Sequence, residues 1–354
     1  MTGNIRHLGR TLIGVAVWLI LFSGTAGAQR PAPAALDEAP LALRDFREEM
    51  RKFVQAISTY ARQQKPGFLI IPQNGLELLM KQEADNETRQ APARTYMLSI
   101  DAVLVDGLFY GVPEVDKPVP EERRQPLLSL TEEARRARLP VLAMDYARDT
   151  AAVSDAYRQL SAKGLIPFVA GGTGLELNRI PGSGLTPWGA NPNSVVSLAG
   201  VRNFVYIRDS SGFGRQDEFA LKMHDTNFDL VVVDVFHGRQ ILSKQAVQTL
   251  RYKKLGARRL VLAYVNIGSA ASYRYYWQNN WAPGAPNWIK EPIPGEPDRY
   301  QIAFWDPAWQ AIIYGNAQSY ISGIIDMGFD GAVLDDLSVY RYFTGEIPSA
   351  SGLP

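Results

Sequence analysis

The residues best suited to chemistry in this 354-residue chain are aspartates that follow apolar runs. Asp234 and Asp335 are embedded in "LVVVDVF" and "GAVLDDL", where a buried strand does not tolerate a charge without a compensating reason. Asp106 ends a similar run, "AVLVD". Paired carboxyl groups carry out acid–base reactions, of which glycoside hydrolysis is the commonest. We therefore predict Asp234 and Asp335 as the catalytic pair.

A strand-end aspartate can instead cap the helix that follows it. Asp149 precedes "TAAVSDAY" and Asp209 precedes "SSGFG", so for these two residues capping is the better interpretation. The sequence favours a functional role only for the aspartates that lie inside apolar runs.

Composition excludes several other kinds of site. The chain has no cysteine and three histidines, His7, His224 and His237, which lie far apart in the sequence. We therefore predict no disulfide, no thiolate nucleophile, no metal centre and no cofactor. The formal net charge of +1 lacks the basic excess of a nucleic-acid-binding surface, so no nucleic-acid partner is expected.

The first 28 residues have the order of a secretory signal peptide. Arg6 and Arg10 precede an apolar stretch from Leu12 to Phe22, and small residues follow as far as Ala28. The alternative is a membrane anchor, but this stretch is too short to cross a bilayer. We expect cleavage after Ala28, a periplasmic or secreted protein without a stable membrane span, and a flexible Pro/Ala-rich lead-in over residues 29–40.

Eight apolar runs separated by helix-length amphipathic segments determine the predicted fold. Each run is nearly continuous in Val, Ile, Leu, Phe and Ala, which is typical of strands buried on both faces of a parallel sheet. Eight such units predict an α/β fold, a single (β/α)8 TIM barrel over residues 41–343 with a C-terminal tail over 344–354. The alternative is an open doubly wound sheet, which calls for a Gly-rich phosphate turn after the first strand that this chain lacks. The runs are 68–72, 102–110, 141–146, 166–171, 204–209, 230–236, 260–267 and 331–337.

Active sites of such barrels lie at the C-terminal ends of the strands, so polar and aromatic residues there are candidate substrate contacts. A long loop after the seventh run adds aromatic side chains, whose faces pack on the apolar faces of sugar rings. At least half of the aromatic residues in that loop are expected to pack it onto the barrel instead. The candidates are Gln73, Asn74, Asp145, Tyr146, Tyr264, Asn266, Tyr273, Arg274 and Trp277.

Several motifs resemble one known family. "FLIIPQNGLELL", "IDAVLVDGLFYG", "VLAYVNIGSAASYRYYW", "DPAWQAII" and "GFDGAVLDDLSVYRYF" are similar to segments of the TIM-barrel glycoside hydrolases of family 114, the endo-α-1,4-polygalactosaminidases and their relatives. The resemblance covers nearly all of the chain after residue 40. It implies an exported protein that acts on a galactosamine-rich exopolysaccharide. Relatives usually end with the "PQNG" segment, whereas this chain begins with it, which implies a circular permutation.

The resemblance also shows departures in the residues expected to do the chemistry. The family loop reads like "IGEAEDYR", with an acidic residue expected to be catalytic, whereas this chain has Ser269, Ala271 and Ser272 there. Asp234 and Asp335 match the strand-end aspartates of the family. Asp106 stands where relatives often have Glu, and we consider Asp336 or Asp106 as the substitute acid.

Two functions remain open from the sequence. One is an exported glycoside hydrolase that acts through paired carboxylates, with Ala271 in place of the family's glutamate. The other is a catalytically impaired carbohydrate-binding protein that retains the cleft. A third possibility, a polysaccharide deacetylase, needs a His/Asp metal site that the sequence does not provide. The sugar, the stereochemical outcome and the oligomeric state do not follow from the sequence.

Overall fold

A computed structural model describes residues 44–83, 86–172, 176–182 and 186–346. From Asp45 onward the chain forms one compact unit. The predicted signal peptide (1–28), the lead-in (29–40) and residues 347–354 of the predicted tail lie outside the described residues.

The first helix shows how the sequence builds the outer layer. Helix α1, Phe46–Gln64, begins at the N-cap Asp45, whose side chain accepts a hydrogen bond from the backbone N–H of Glu48. Its apolar residues recur at intervals of three and four, so they form one buried stripe, while charged residues occupy the opposite face. The stripe includes Phe46, Met50, Phe53, Val54, Ile57 and Ala61.

The described residues contain nine α-helices. They are α1 Phe46–Gln64, α2 Arg94–Ser99, α3 Glu121–Arg136, α4 Thr150–Ala162, α5 Gln216–His224, α6 Lys244–Leu250, α7 Pro307–Ile313, α8 Tyr320–Met327 and α9 Tyr340–Phe343.

The same part of the chain contains fifteen strands. They are β1 Leu69–Pro72, β2 Met80–Glu83, β3 Asn86–Pro92, β4 Val103–Asp106, β5 Val141–Tyr146, β6 Ile166–Ala170, β7 Phe204–Ile207, β8 Leu230–Asp234, β9 Phe236–His237, β10 Gln240–Ile241, β11 Leu260–Asn266, β12 Ser269–Ala271, β13 Ile289–Ile293, β14 Glu296–Ile302 and β15 Gly331–Asp335.

All eight apolar runs of the sequence form strands, and those strands pair in parallel. One sheet has five strands in the order β1-β15-β11-β8-β7, and a second has the order β4-β5-β6. Every residue of β4, β5, β7, β8 and β15 is buried, as expected for strands covered on both faces. The expected α/β fold with parallel strands is therefore confirmed.

The two sheets meet at both edges, although backbone pairing is continuous at neither. At one edge a parallel bridge joins Gln73 to Leu104, and the N–H of Asn74 donates to the carbonyl of Leu104 at 2.7 Å. At the other edge the rings of Phe168 on β6 and Phe204 on β7 lie 5.4 Å apart, but no ladder pairs these strands within the described residues. The arrangement is consistent with a TIM barrel, although the described residues do not form a fully hydrogen-bonded closed barrel.

The long loop after β11 carries an antiparallel sheet that the sequence analysis did not predict. Its three strands pair in the order β12-β14-β13, and Gly295 turns the hairpin between β13 and β14 with a φ of 83°. This sheet holds the segment containing Ala271 at the C-terminal edge of the parallel strands. No helix within the described residues is long and apolar enough to cross a bilayer.

Candidate active site

The register of three neighbouring strands brings the two predicted catalytic aspartates to one edge. Asp234 on β8 lies beside Tyr264 on β11, and Asn266, two residues further along β11, lies beside Asp335 on β15. Side chains alternate along a strand, so these four residues share a face. Asp234 and Asp335 are therefore separated laterally by one intervening strand, roughly 10 Å, and offset by two residues along the strands, roughly 6.6 Å, which places their backbones about 12 Å apart.

Asp335 has the environment of a group that exchanges a proton near neutral pH. It is 7% exposed, and one carboxylate oxygen accepts a hydrogen bond of 2.8 Å from the backbone N–H of Asp336. Burial, followed by the neighbouring charge of Asp336, raises the pKa of Asp335 from 3.8 to about 7. Arg208 opposes this rise without cancelling it.

Asp336 has the opposite environment although it is the next residue in the chain. Its carboxylate accepts hydrogen bonds from Asn266 Nδ2 and Ser269 Oγ, both at 2.6 Å, and is paired with Arg299. Burial acts to raise the pKa of Asp336, but Arg299 and the hydrogen bonds outweigh it, so the pKa is lowered. An aspartate held ionised in this way is a poor proton donor, so the structure argues against Asp336 as the substitute acid.

Asp234 is engaged by an arginine from the loop. Arg274 donates Nη1 to Oδ1 at 3.1 Å and Nη2 to Oδ2 at 2.5 Å, which is a bidentate ion pair. The N–H of Phe236 donates to Oδ1 at 3.0 Å, and the guanidinium lies 4.9 Å from the centroid of the Phe236 ring. Burial raises the pKa of Asp234, and Arg274 works against that rise. Arg274, predicted as a substrate contact, thus forms a pair with a predicted catalytic residue.

Asp106 is the third carboxyl group of this edge. Tyr146 donates its hydroxyl to Asp106 at 3.1 Å, and Asn74 accepts a hydrogen bond from the Asp106 N–H at 3.3 Å. Burial raises the pKa of Asp106, while hydrogen bonds and the charges of Arg123 and Arg208 act against the rise. Tyr146 and Asn74 position Asp106, and this carboxyl group keeps the character of a possible second acid.

An open cleft of about 460 Å³ lies at this edge. Five of the residues predicted from the sequence line it: Asp234, Tyr264, Asn266, Tyr273 and Arg274. Ala271 also lines the cleft.

Asp145 must be corrected as a substrate contact. Its side chain is fully buried and accepts backbone N–H bonds from Leu108 at 2.8 Å and Phe109 at 3.1 Å. Burial raises the pKa of Asp145 to about 7, with these hydrogen bonds acting in the opposite direction. Asp145 is therefore inaccessible to a substrate. Its hydrogen bonds hold the loop after β4 in place.

Trp277 stays a predicted substrate contact. Its indole stacks on Tyr300 at 4.9 Å between ring centroids and meets Trp281 edge-on at 5.6 Å, and it is not among the residues that line the cleft of Asp234. These three rings also pack against the main hydrophobic core, as the sequence analysis expected for at least half of the aromatic residues in the loop. Gln73 is also buried, and its side-chain oxygen accepts a hydrogen bond of 2.8 Å from Tyr206.

The capping interpretation is confirmed for Asp149 but not for Asp209. Asp149 is the N-cap of α4 and accepts N–H bonds from Ala151 and Ala152. Asp209 caps no helix; it accepts hydrogen bonds from the N–H and the hydroxyl of Ser211, which closes a local turn, and it lines the cleft.

Sequence reasoning missed the basic residues of the cleft. Arg208, Arg239 and Arg299 line it together with Arg274 and the acidic Glu296. Arg208 follows β7 directly, and a charge at the end of a fully apolar run was the signal that could have identified it. No group of His, Asp and Glu side chains that could hold a metal ion occurs in the described part of the chain.

Comparison with known proteins gives a match for the C-terminal part of the chain. Residues 216–352, less than half of the sequence, match glycoside-hydrolase family GH114. An uncharacterized protein of Deinococcus radiodurans is 37% identical over 119 residues, 34% of this chain and 36% of that protein. Uncharacterized proteins of Methanocaldococcus jannaschii and Thermotoga maritima are 32% and 28% identical over 34% and 37% of this chain. The chain thus spans about a third of the length of these relatives: 36%, 33% and 39%, in the order given.

The matched segment begins at α5 and contains Asp234, Asp335, Asp336 and the loop with Ala271 and Arg274. Asp106 and Arg208, which complete the same edge, come from the part of the chain before it. The circular permutation stays a prediction, because the family match does not extend to the "PQNG" segment. Residues 216–352 are thus similar to glycoside-hydrolase family GH114.

Proposed function

We propose that this protein is an exported glycoside hydrolase in which Asp335 donates a proton to the leaving oxygen of a polysaccharide. The observation that carries the proposal is the position of Asp335, a buried carboxyl group with a pKa of about 7 at a strand end in a GH114 segment. A general acid is most effective when its pKa lies near the working pH.

The protonation step follows from the hydrogen bonding of Asp335. One oxygen of Asp335 accepts the N–H of Asp336, and the other oxygen is the proposed proton donor. Asp335 lies beside Asn266, which lines the cleft, but is not itself among the lining residues, so the glycosidic oxygen must reach past that lining. Asp336, held ionised by Arg299, keeps a negative charge next to Asp335 and favours its protonated form. Proton transfer from Asp335 neutralises the developing alkoxide as the glycosidic bond breaks.

Asp234 is the proposed second carboxylate, as nucleophile or as the base that activates water. Arg274 orients it and opposes the rise in its pKa that burial causes, but also occupies both oxygens, so the ion pair must loosen when substrate binds. Asp106 is the alternative for this role. The separation of the reacting carboxyl groups determines the stereochemical outcome, about 5–5.5 Å for retention and about 6.5–9.5 Å for inversion.

A second candidate function, carbohydrate binding without turnover, is favoured by the same ion pair. Asp234 is fully engaged, and the cleft has an alanine at position 271 where the family loop has an acidic residue. The cleft would then bind polymer through Tyr273, which is exposed, and through its charged side chains.

The substrate and the location are further parts of the proposal. The family resemblance makes a galactosamine-rich exopolysaccharide the first polymer to assay. The order of basic, apolar and small residues before Gln29 supports export to the periplasm or beyond.

The test measures reducing ends released from partially deacetylated galactosamine polymer, with polymer affinity measured in parallel. Wild type, Ala271→Glu, Asp234→Asn and Asp106→Asn are compared, with Asp149→Asn as a control because asparagine also caps a helix. If Ala271→Glu raises the rate while affinity is unchanged, the protein is an impaired hydrolase that lacks one acid. If wild type is already fast and Asp106→Asn abolishes the rate while Asp234→Asn does not, Asp106 rather than Asp234 is the second carboxylate.

If neither wild type nor Ala271→Glu cleaves, while both bind polymer and Asp234→Asn weakens binding, the hydrolase proposal is wrong and the binding function replaces it.

A further inference from the structure

Four arginines line the cleft, and only two of them form ion pairs within the described residues. Arg274 is paired with Asp234, and Arg299 is paired with Asp336 and with Glu296 at 2.6 Å. Arg208 and Arg239 also line the cleft, and within the described residues neither has an ion pair or a side-chain hydrogen bond. Two guanidinium groups therefore face the cavity without a protein partner.

Arg208 is the stronger candidate ligand of the two, because it is partly buried. It follows β7 at the same edge as the catalytic carboxyl groups and interacts electrostatically with Tyr264, Tyr206 and Asp335. A buried guanidinium is stable only where hydrogen-bond acceptors compensate for lost hydration. Arg208 forms no ion pair with these tyrosines or with Asp335 within the described residues. The N–H donors of its guanidinium are therefore available to a ligand.

Arg239 supplies a second positive charge at the mouth of the cleft. It lies in the turn between β9 and β10, directly after Gly238, whose φ of 60° produces the turn. Asp209, the nearby acidic residue of the lining, is hydrogen-bonded to Ser211. Arg239 is exposed and solvated, so it is suited to attracting a charged group toward the deeper Arg208.

We propose that the cleft has a subsite for a carboxylate-bearing sugar residue, with Arg208 as the direct ligand of the carboxylate and Arg239 at its entrance. The planar fork of a guanidinium matches a carboxylate by two parallel hydrogen bonds. This inference rests on the proposed function, because it specifies the substrate class of that same cleft.

The subsite narrows the choice of polymer. The ammonium group of an unmodified galactosamine residue would be repelled by an unpaired guanidinium, and it has no acceptor oxygen for the donors. A galactosamine-rich substrate therefore also carries acidic sugars, and the acidic residue lies next to the cleaved bond.

The test uses the full mature chain with Asp335→Asn, so that binding is measured without turnover. Oligosaccharides of equal length made of galacturonic acid, galactose or galactosamine are titrated by calorimetry. We expect the galacturonic acid oligosaccharide to bind most tightly, and its affinity to fall as salt is raised. Equal affinity for the acidic and neutral oligosaccharides would overturn the subsite.

Three further substitutions identify the ligand. Arg208→Gln should reduce affinity for the acidic oligosaccharide roughly tenfold or more and leave the neutral one unchanged, while Arg208→Lys should keep part of the affinity. Arg239→Gln should mainly reduce the association rate. Arg202→Gln is the matched control, because Arg202 is exposed and precedes the same strand β7 at its opposite end.

If Arg208→Gln behaves like Arg202→Gln, although both remain folded by thermal denaturation, the subsite assignment is wrong. A cleavage assay distinguishes failure of the subsite from failure of the proposed hydrolase function. Cleavage of an unmodified galactosamine polymer that Arg208→Gln does not affect would refute the acidic subsite and retain the hydrolase. Binding of the acidic oligosaccharide through Arg208 without cleavage of any polymer would retain the subsite and refute the hydrolase.

Discussion

Asp335 and Asp336 are adjacent in the chain but have opposite electrostatic environments. Asp335 is buried with one hydrogen bond to its carboxylate, whereas Asp336 has three donors, one of them a guanidinium. The pKa of Asp335 is raised to about 7 and that of Asp336 is lowered. When the pKa values of two neighbouring carboxyl groups diverge, the group with the raised pKa is the candidate acid and the group with the lowered pKa stays ionised.

This environment predicts a pH-dependent stability effect of Asp335→Asn. The pKa of Asp335 is about 7 in the folded protein against 3.8 as the ordinary value, so the folded state favours the protonated form. Its ionisation therefore destabilises the fold progressively as pH rises from about 4 to 7. Asparagine keeps the acceptor for the Asp336 N–H and carries no charge. The variant should match wild type near pH 4 and be more stable at pH 8.

The measurement is urea unfolding of both proteins across this pH range. Asp145 also has a raised pKa, but it titrates in both proteins and cancels in the difference. A variant that is less stable than wild type at pH 8 by as much as at pH 4 would contradict the assignment.

The pair between Arg274 and Asp234 predicts a second effect on stability. Removing one partner of a buried ion pair leaves an uncompensated charge, which costs about 3–5 kcal/mol. Arg274→Gln should therefore lower the free energy of unfolding by this order, and adding Asp234→Asn should restore part of it. The cycle is measured by denaturant unfolding, with Arg136→Gln as the control because Arg136 and Glu133 form an exposed pair worth less than about 1 kcal/mol.

If Arg274→Gln costs no more than Arg136→Gln, the pair does not hold the loop over Asp234. The sequence could identify Asp234 and Arg274 as site residues from their positions, but not as partners. They are 40 residues apart and meet only because the loop after β11 folds back over β8. Arg208 was missed for a similar reason, since its importance depends on the absence of a carboxylate partner.

At the scale of elements, the junction between β11 and β12 fixes the geometry of the acid pair. Gly268 packs so closely on the backbone that an added Cβ would lie 1.9 Å from the carbonyl oxygen of Asp336. Asn266 holds the same turn by accepting the N–H groups of Gly268 and Ser269 at 3.1 and 2.9 Å. The turn and the acid pair therefore cannot move independently.

Gly268→Ala should displace the backbone of Asp336 and reduce hydrolysis, with a stability loss of roughly 1–3 kcal/mol typical of overpacking. Gly323→Ala is the matched control, because Gly323 lies in α8 with no atom within 4 Å of an added Cβ. There alanine should stabilise by up to about 1 kcal/mol. Thermal unfolding and the hydrolysis assay are measured on both variants, and equal behaviour of the two would show that the close approach has no effect.

The elements themselves were predictable to different degrees. All eight parallel strands were predicted, because a continuous run of Val, Ile, Leu and Ala is a strong signal of a strand buried on both faces. The β12-β14-β13 sheet was not, because "IKEPIPGEPDRYQI" mixes proline, charge and aromatic residues and has irregular pairing at Pro292. The stacking of Trp277 on Tyr300 was not predicted either, because Tyr300 belongs to that sheet.

At the scale of the whole molecule, the two parallel sheets combine residues from distant parts of the chain. The segment that matches GH114 supplies Asp234 and Asp335, and the part before it supplies Asp106 and Arg208. Neighbouring strands in a barrel stay neighbours when the termini are moved, which is why a circular permutation is compatible with this arrangement.

Export is the prediction that concerns the whole chain. N-terminal sequencing of protein recovered from its native host should begin near Gln29, in a periplasmic or extracellular fraction. The apolar stretch that ends at Phe22 is too short for a span, so an intact Met1 in a membrane fraction would contradict cleavage and indicate an anchor.

The most direct test of the central claim is the pH dependence of polysaccharide hydrolysis by wild type and Asp335→Asn. A general acid with a pKa of about 7 must be protonated to act, so kcat/KM of wild type should fall about tenfold per pH unit above that value. Asp335→Asn should lose roughly 100- to 10,000-fold and show no such fall, while Asp149→Asn should follow wild type. Wild-type activity with an unchanged pH profile in Asp335→Asn would contradict the assignment of Asp335 as the proton donor.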